Sequence, residues 1–329
     1  LNFADPTSFG NDRVSEIGDR FYSLSYFGRL EYSYDDKYLL NATVRTEGDS
    51  KFPREIWVTT PAFGLGWVVS EESFMEDNGI FDFLKLRGSW GQLANGALGD
   101  SSGTRTISNI TTAIDDIPTD GFISSSNYQD LEREILEETN LGLSARLFDS
   151  KLSLEADYYI RDTKKLVIPV DQPIVSNTIL ENVGEMRTQG IEIAANWSQM
   201  LNDNWSFSVA GNIATLNNEV TKVNSAAGYF DTGQAEFRQR SMVGEPIEAF
   251  FGWEVVGVYQ NDEEIQNDPI AVANGLVPGD FKYRDRNGDG EINADDRTVI
   301  GSYLPSFVYG GNLQVSYKQF DLSVAIAGQ

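Results

Sequence analysis

Along residues 152–160, the apolar Leu152, Leu154, Ala156, Tyr158 and Ile160 alternate with Ser153, Glu155, Asp157 and Tyr159. Strand side chains point alternately to the two faces, so this run presents one apolar and one largely polar face. The same period of two recurs through Leu24–Tyr34, Tyr38–Val44, Phe63–Val69, Leu84–Trp90, Leu141–Leu147, Ile191–Trp197, Trp205–Ile213, Tyr309–Tyr317 and Phe320–Ala327, which makes ten spanning strands with the first run. Their connections differ in length by turns. Residues 35–37, 71–83, 149–151, 199–204 and 318–319 are short, whereas 46–57, 93–135, 167–182 and 217–305 are medium to long. A transmembrane β-barrel has this asymmetry, with short turns on the periplasmic side and long loops outside. Phe250–Tyr259 has the propensity of an eleventh strand. Counting it as spanning would move the 318–319 turn to the wrong side, so it is expected to form a hairpin within an extracellular loop.

No apolar run reaches 18 residues, which excludes a transmembrane helix. A barrel strand needs only every second residue to face lipid. The fold class expected is therefore all-β, an antiparallel transmembrane barrel of which about ten strands are present, with residues 218–304 as a large extracellular loop region. Trp197 and Trp205 flank one short turn, where amphipathic rings suit the headgroup level, although ordinary core packing would also account for them.

Charge and composition narrow the functions. Asp+Glu number 50 against 25 Lys+Arg, a net charge of −25, so long-range repulsion disfavours nucleic acid as a partner. Cysteine and histidine are both absent, which removes disulfides, thiolate nucleophiles, Cys/His zinc sites and the usual general base. An enzyme is not expected. The acidic pairs Asp115–Asp116, Glu137–Glu138 and Asp295–Asp296 raise glycoside hydrolysis only weakly, because proximity in sequence does not place two carboxylates across a sugar bond. The chain opens on Leu1 without a leader and stops at Gln329 within an alternating run, which reads as an internal piece of a longer protein.

The sharpest chemical motif is Asp285-Arg286-Asn287-Gly288-Asp289-Gly290-Glu291 followed by Asp296. Asp285, Asn287, Asp289, the Glu291 carbonyl and Asp296 occupy the oxygen-donor positions of a 12-residue calcium loop, and Gly290 stands where such a loop turns sharply. Asp296 is shorter than the usual bidentate Glu. A structural calcium ion is one expectation; a pair of Asn-Gly and Asp-Gly turns with solvated carboxylates is the other. Tyr229, Phe230, Phe250, Phe251, Trp253 and Tyr259 are candidate ligand-stacking rings, or rings that pack on one another to hold the loop folded.

Six ordered segments carry a family resemblance: FGRLEYSYDDKYLLNATVRTEGDSKF (27–52), LKLRGSWGQLANG (84–96), ETNLGLSARLFDSKLSLEADYYIRDTKKLV (138–167), ENVGEMRTQGIEIAANW (181–197), GEPIEAFFGWEVVGVYQN (244–261) and PGDFKYRDRNGDGEINADDRTVIG (278–301). Together they resemble the SusC/RagA family of TonB-dependent outer-membrane transporters. The resemblance implies a Gram-negative outer membrane and a barrel of about 22 strands closed by a plug. The plug and the TonB-contacting segment would lie outside this stretch. It further implies import of oligosaccharide or peptide cargo, a SusD-like lipoprotein over the extracellular loops, and the TonB complex as energy source. The competing reading is a calcium-stabilised, cell-surface carbohydrate-binding β-protein without transport.

Overall fold

A computed structural model describes residues 22–52, 55–76, 79–96, 105–114, 117–126, 131–172, 177–225, 227–232 and 238–329. Ten strands form one antiparallel path in chain order. They are β1 Ser23–Tyr34, β2 Tyr38–Asp49, β3 Trp57–Val68, β4 Phe81–Asn95, β5 Glu134–Leu147, β6 Leu152–Gln172, β7 Asn177–Asn202, β8 Trp205–Thr215, β9 Phe307–Tyr317 and β10 Phe320–Gly328. Among the described residues β1 and β10 are each paired on one side only. No helix of the described residues is long and apolar enough to cross a membrane.

The short connections share one rim. Val68 N–H donates to Lys37 O at 2.8 Å, Phe148 N–H to Ile80 O at 3.1 Å, Ser198 N–H to Lys151 O at 2.8 Å and Lys318 N–H to Asn204 O at 2.9 Å, so neighbouring turns are stitched side by side. Asp35 and Asp36 both adopt φ 53, the left-handed geometry of a tight hairpin that matches strand twist. Phe148, Asp149 and Ser150 take the next turn the same way, with φ between 57 and 60. The seam that matters most joins β8 to β9 across residues 216–306. Eleven register pairs run from Trp205–Tyr317 to Thr215–Phe307, so the longest excursion leaves and re-enters the wall between adjacent strands.

Two expectations are corrected. Residues 167–182 do not open into a loop at 167: β6 and β7 stay paired to Gln172–Asn177, past an irregularity at Thr163–Leu166 where Lys165 takes φ 56. Backbone pairing outlasts the membrane-crossing pattern because Val167, Ile168, Val170 and Ile179 favour strand on their own. Phe250–Tyr259 is not a hairpin either. Ala249–Trp253 joins a four-stranded sheet with Tyr229–Thr232, Gln239–Met242 and Arg297–Gly301, whereas Val255–Val258 pairs with Phe281–Tyr283 in a separate ribbon. Glu254 breaks the run, its carbonyl turned to accept from Arg284 N–H at 3.0 Å.

Candidate functional site: the two faces of the wall

Register converts alternation into rows. Tyr32, Leu40, Leu65, Gly88, Leu141, Tyr158 and Ile191 are successive cross-strand partners from β1 to β7. Lower on the same face, Leu152, Trp197, Val209, Leu313 and Val324 form another row. These side chains are not packed against a second sheet: Leu65 and Leu141 are 65% and 60% exposed. An exposed apolar band this wide is a lipid-facing surface. Leu152–Ile160 has the length a tilted strand needs to cross, about 9–11 residues.

Aromatic pairs fringe the band. Phe148–Trp197 at 6.0 Å, Trp205–Tyr317 at 4.2 Å and Tyr34–Tyr38 at 6.4 Å lie beside the short turns, and Phe63–Trp90 at 6.1 Å and Tyr26–Trp57 at 6.2 Å lie toward the long connections. Rings with an apolar body and a polar tip favour both interfaces. At the short-turn rim the Glu72 carboxylate accepts from Tyr38 OH at 2.6 Å and Trp67 Nε1 at 3.0 Å. Those donations hold its carboxyl below the usual range.

The opposite face is polar. Ser33, Leu39, Gly66, Arg87, Gly142, Asp157 and Glu192 form one of its rows. Arg87 reaches from β4 across β5 to β6, donating to Asp157 Oδ2 at 2.5 Å and Glu155 Oε2 at 2.8 Å and contacting Ser144 Oγ. It can lie that flat because Gly142 is underneath, where an added Cβ would collide with Arg87 Nε and Asp157 Oδ1. A hollow of about 720 Å³ on this face is lined by Glu31, Asn41, Arg87, Glu138, Asn140 and Asp157. Asn196 accepts from Ser208 Oγ at 3.0 Å on the same face. Such a surface can hold water and polar chains. Within the network the Ser144 hydroxyl donates to Glu155 Oε2 at 2.7 Å.

At the long-connection rim the wall is tied to its loops. Arg133, 2% exposed, lies 4.8 Å over the buried Phe52 ring and donates to Glu47 O at 3.3 Å and Ile56 O at 3.4 Å. Lys165 bridges Glu132 at 2.6 Å and Glu55 at 3.1 Å, and Asn182 Nδ2 donates to the carbonyls of Glu132 and Lys165, both at 2.8 Å. Sequence reading missed this clamp and the Arg87 network. Arg87 carried a signal, a basic residue at a polar-parity position inside an alternating run, whereas Arg133 and Lys165 lie outside the runs and carried none.

The excursion brings its aromatics together mainly with one another and with cations. Arg240 lies 3.5 Å from the Tyr229 ring and 4.0 Å from the Phe251 ring, with two hydrogen bonds to Asp231 at 2.7 and 2.9 Å. Trp253 is covered by Arg297 at 4.3 Å and donates from Nε1 to Asn293 O at 2.6 Å. Phe230 is buried. Tyr259, 2% exposed, packs with Ile265 and Ala271 and donates to Asp268 at 2.7 Å, so burial first and that carboxylate second push its hydroxyl up to about 12. Of the six candidate stacking rings Phe250 presents the most surface, 38% exposed.

In the 285–296 loop the oxygens meet backbone amides. Asp285 accepts from Gly288 N–H at 2.6 Å and Gly290 N–H at 2.9 Å, Asn287 from Asp289 N–H at 3.0 Å, and Asp289 from Glu291 N–H at 2.9 Å. Buried Asp296 accepts from Arg286 and Asn293 N–H, each at 2.9 Å, and the second of these leads in holding its carboxyl below the usual range. Gly288 and Gly290 take φ 75 and 87. Among the described residues no group of three or more acidic side chains is arranged to hold a metal ion. Of the acidic pairs, Asp115–Asp116 lie outside the described residues, and adjacent Glu137 and Glu138 point to opposite faces of β5.

A wall with an apolar outer band, a polar inner face and turns on one rim defines an outer-membrane β-barrel. A family model described as "TonB dependent receptor-like, beta-barrel" matches residues 2–328, and the chain belongs to that family. It is 31% identical to TonB-dependent receptor P26 of Formosa agariphila over 100% of this chain and 33% of the relative, and 27% identical to TonB-dependent receptor SusC of Bacteroides thetaiotaomicron over 92% and 30%. The chain thus spans about a third of the length of the curated relatives it matches. In fold it is similar to the RagAB peptide importer in its open-open state, with a TM-score of 0.76 at 22% identity, covering 93% of this chain and 32% of that one.

Proposed function

We propose that this chain forms part of the wall of an energised importer that carries oligomeric nutrients, glycan or peptide, across the outer membrane of a Gram-negative bacterium. The observation that carries the reading is the polar face with its Arg87–Glu155–Asp157 network, set in a family of TonB-dependent receptors. In this reading the TonB complex supplies the pull through parts of the protein outside this chain, and a SusD-like surface lipoprotein caps the long connections. The wall's own contribution is passive: the outer rows anchor it in lipid, and the inner rows keep a wet path. Deleting the gene should abolish energy-dependent uptake of a fluorescent oligosaccharide or oligopeptide, and complementation should restore it. Unchanged uptake of both probe classes would reject the proposal.

Calcium belongs to the same proposal as a structural occupant of the 285–296 loop. Its support is the order of oxygen donors Asp285, Asn287, Asp289 and Asp296 around a positive-φ Gly290. The loop's amides already satisfy those oxygens in the structure, so an ion would compete for their remaining lone pairs. Titration calorimetry on the full-length protein should show calcium binding that Asp285→Ala with Asp289→Ala removes, with barrel assembly unchanged. Absence of binding heat would leave the loop as a pair of hydrogen-bonded turns.

A further inference from the structure

The apolar band on the outward face is not smooth. In the row Tyr32, Leu40, Leu65, Gly88, Leu141, one position lacks a side chain, and it stands between two exposed leucines of β3 and β5. The next row toward the short turns holds Tyr38, Trp67 and Leu86. One row toward the long connections, Phe63 and Trp90 stack across β3 and β4 at 6.1 Å. At Gly88 the surface sinks into an apolar hollow of about 580 Å³. Leu39, Gly66 and Arg87 also line it, but alternation turns their side chains to the inner face, so they supply the backbone floor between two outward rows.

The walls of this trough are set in advance. Tyr38 OH and Trp67 Nε1 both donate to Glu72, at 2.6 and 3.0 Å, which fixes the two rings at the short-turn end. A Cβ added at Gly88 would come within 3.4 Å of Leu141 Cδ2, so the trough is narrow across the strands. Along β3 it extends from Trp67 toward Phe63, about 13 Å at the rise of a strand. A slender apolar chain fits this shape and this lining, whereas a polar group would find no partner on its walls. Tyr38 directly follows the 35–37 turn, so the trough lies in the leaflet nearer the periplasm.

We propose that this trough seats one acyl chain of a phospholipid in the periplasmic leaflet and holds it while neighbouring lipid exchanges. Apolarity alone gives no preference over bulk lipid, whose chains are as apolar as leucine. The preference comes from dispersion contacts on the walls as well as the floor, made to rings that are already ordered. The proposal rests on the outward face meeting lipid and is independent of what the protein imports.

The test offers the full-length protein mixed micelles of mild detergent and dipalmitoyl phosphatidylethanolamine, with bound lipid read by native mass spectrometry under collisional activation. Lipid should survive activation that strips the detergent. Gly88→Leu fills the trough and should cut retention roughly tenfold, the worth of about ten lost atom contacts. Leu65→Ala, which lowers one wall at an exposed position, should cut it roughly threefold. Gly28→Leu adds the same side chain to the same face of β1, where an added Cβ meets nothing closer than Val44 Cγ1 at 3.9 Å, and should leave retention unchanged. Dipalmitoyl phosphatidylglycerol should be held equally well and dihexanoyl phosphatidylethanolamine should not be held, because the chain and not the headgroup is seated. Equal retention by the wild type, Gly88→Leu and Leu65→Ala, in samples whose heat-modifiable migration shows intact barrels, would overturn the proposal. So would an equal loss in Gly28→Leu, which would mark general adhesion to the band, or retention that follows the headgroup. A doubled mass that Gly88→Leu returns to a single copy would also overturn it, by assigning the trough to a second copy of the protein.

Discussion

Arg87 joins three strands because residue 142 has no side chain to lift it. Gly142→Ala would raise the guanidinium off the wall and part it from Asp157, at a cost of about 1–3 kcal/mol as for other small-to-large changes in packed sites. Thermal unfolding of the full-length protein in detergent should register the loss, and an unchanged midpoint would mean that the network is incidental. Glu72 gives a pH signature at the other rim. Its carboxyl is depressed by donation first from Tyr38 and then from Trp67. A depressed carboxylate contributes stability that is fully present above its unfolded pKa and is lost as pH falls through the folded value. Glu72→Gln should therefore flatten the acid limb of a stability-against-pH curve while leaving neutral pH nearly untouched. Parallel curves would count against any such contribution. Gly142 and Glu72 were not legible in the sequence, since their roles depend on which strands lie side by side.

At the scale of elements, period-two alternation placed all ten wall strands and their faces, because one face must satisfy lipid and the other water. Alternation stops being informative where the strand leaves the membrane. That is why residues 167–182 read as a loop although β6 and β7 remain paired to Gln172–Asn177. It also could not separate Ala249–Trp253 from Val255–Val258, whose partners Arg297–Gly301 and Phe281–Tyr283 are distant in sequence. The faces are directly testable on β6. Leu154 lies in a row with Ala145, Ala195, Gly211 and Ile326 on the lipid side, while Ser153 lies beside Asn196 on the other. Leu154→Arg should cost about 2–4 kcal/mol near mid-membrane, and Ser153→Arg should be tolerated. Assembly yield in outer-membrane fractions separates them, and equal yields would contradict the assigned faces.

For the whole molecule, the parity of short and long connections carried the topology. It required the excursion to return beside its point of departure, and β8 pairs with β9 along its full length. The sheets inside that excursion escaped sequence reading because their strands are short and recruit partners far along the chain, as Ala249–Trp253 does with Arg297–Gly301. What the wall requires of its surroundings follows from its edges. β1 and β10 each have one unpaired side among the described residues, and both carry exposed outward side chains such as Tyr26, Leu30, Leu322 and Ile326. Unpaired backbone is costly in lipid, and in water a long apolar edge templates pairing with other chains. Residues 1–329 expressed alone should therefore partition into detergent and run as oligomers or aggregates by light scattering, while the same residues within the full-length protein should be heat-modifiable and monodisperse. A soluble, monodisperse monomer of residues 1–329 that unfolds cooperatively would show that the exposed rows are covered in some other way, and the assignment of those rows to lipid would fall with it.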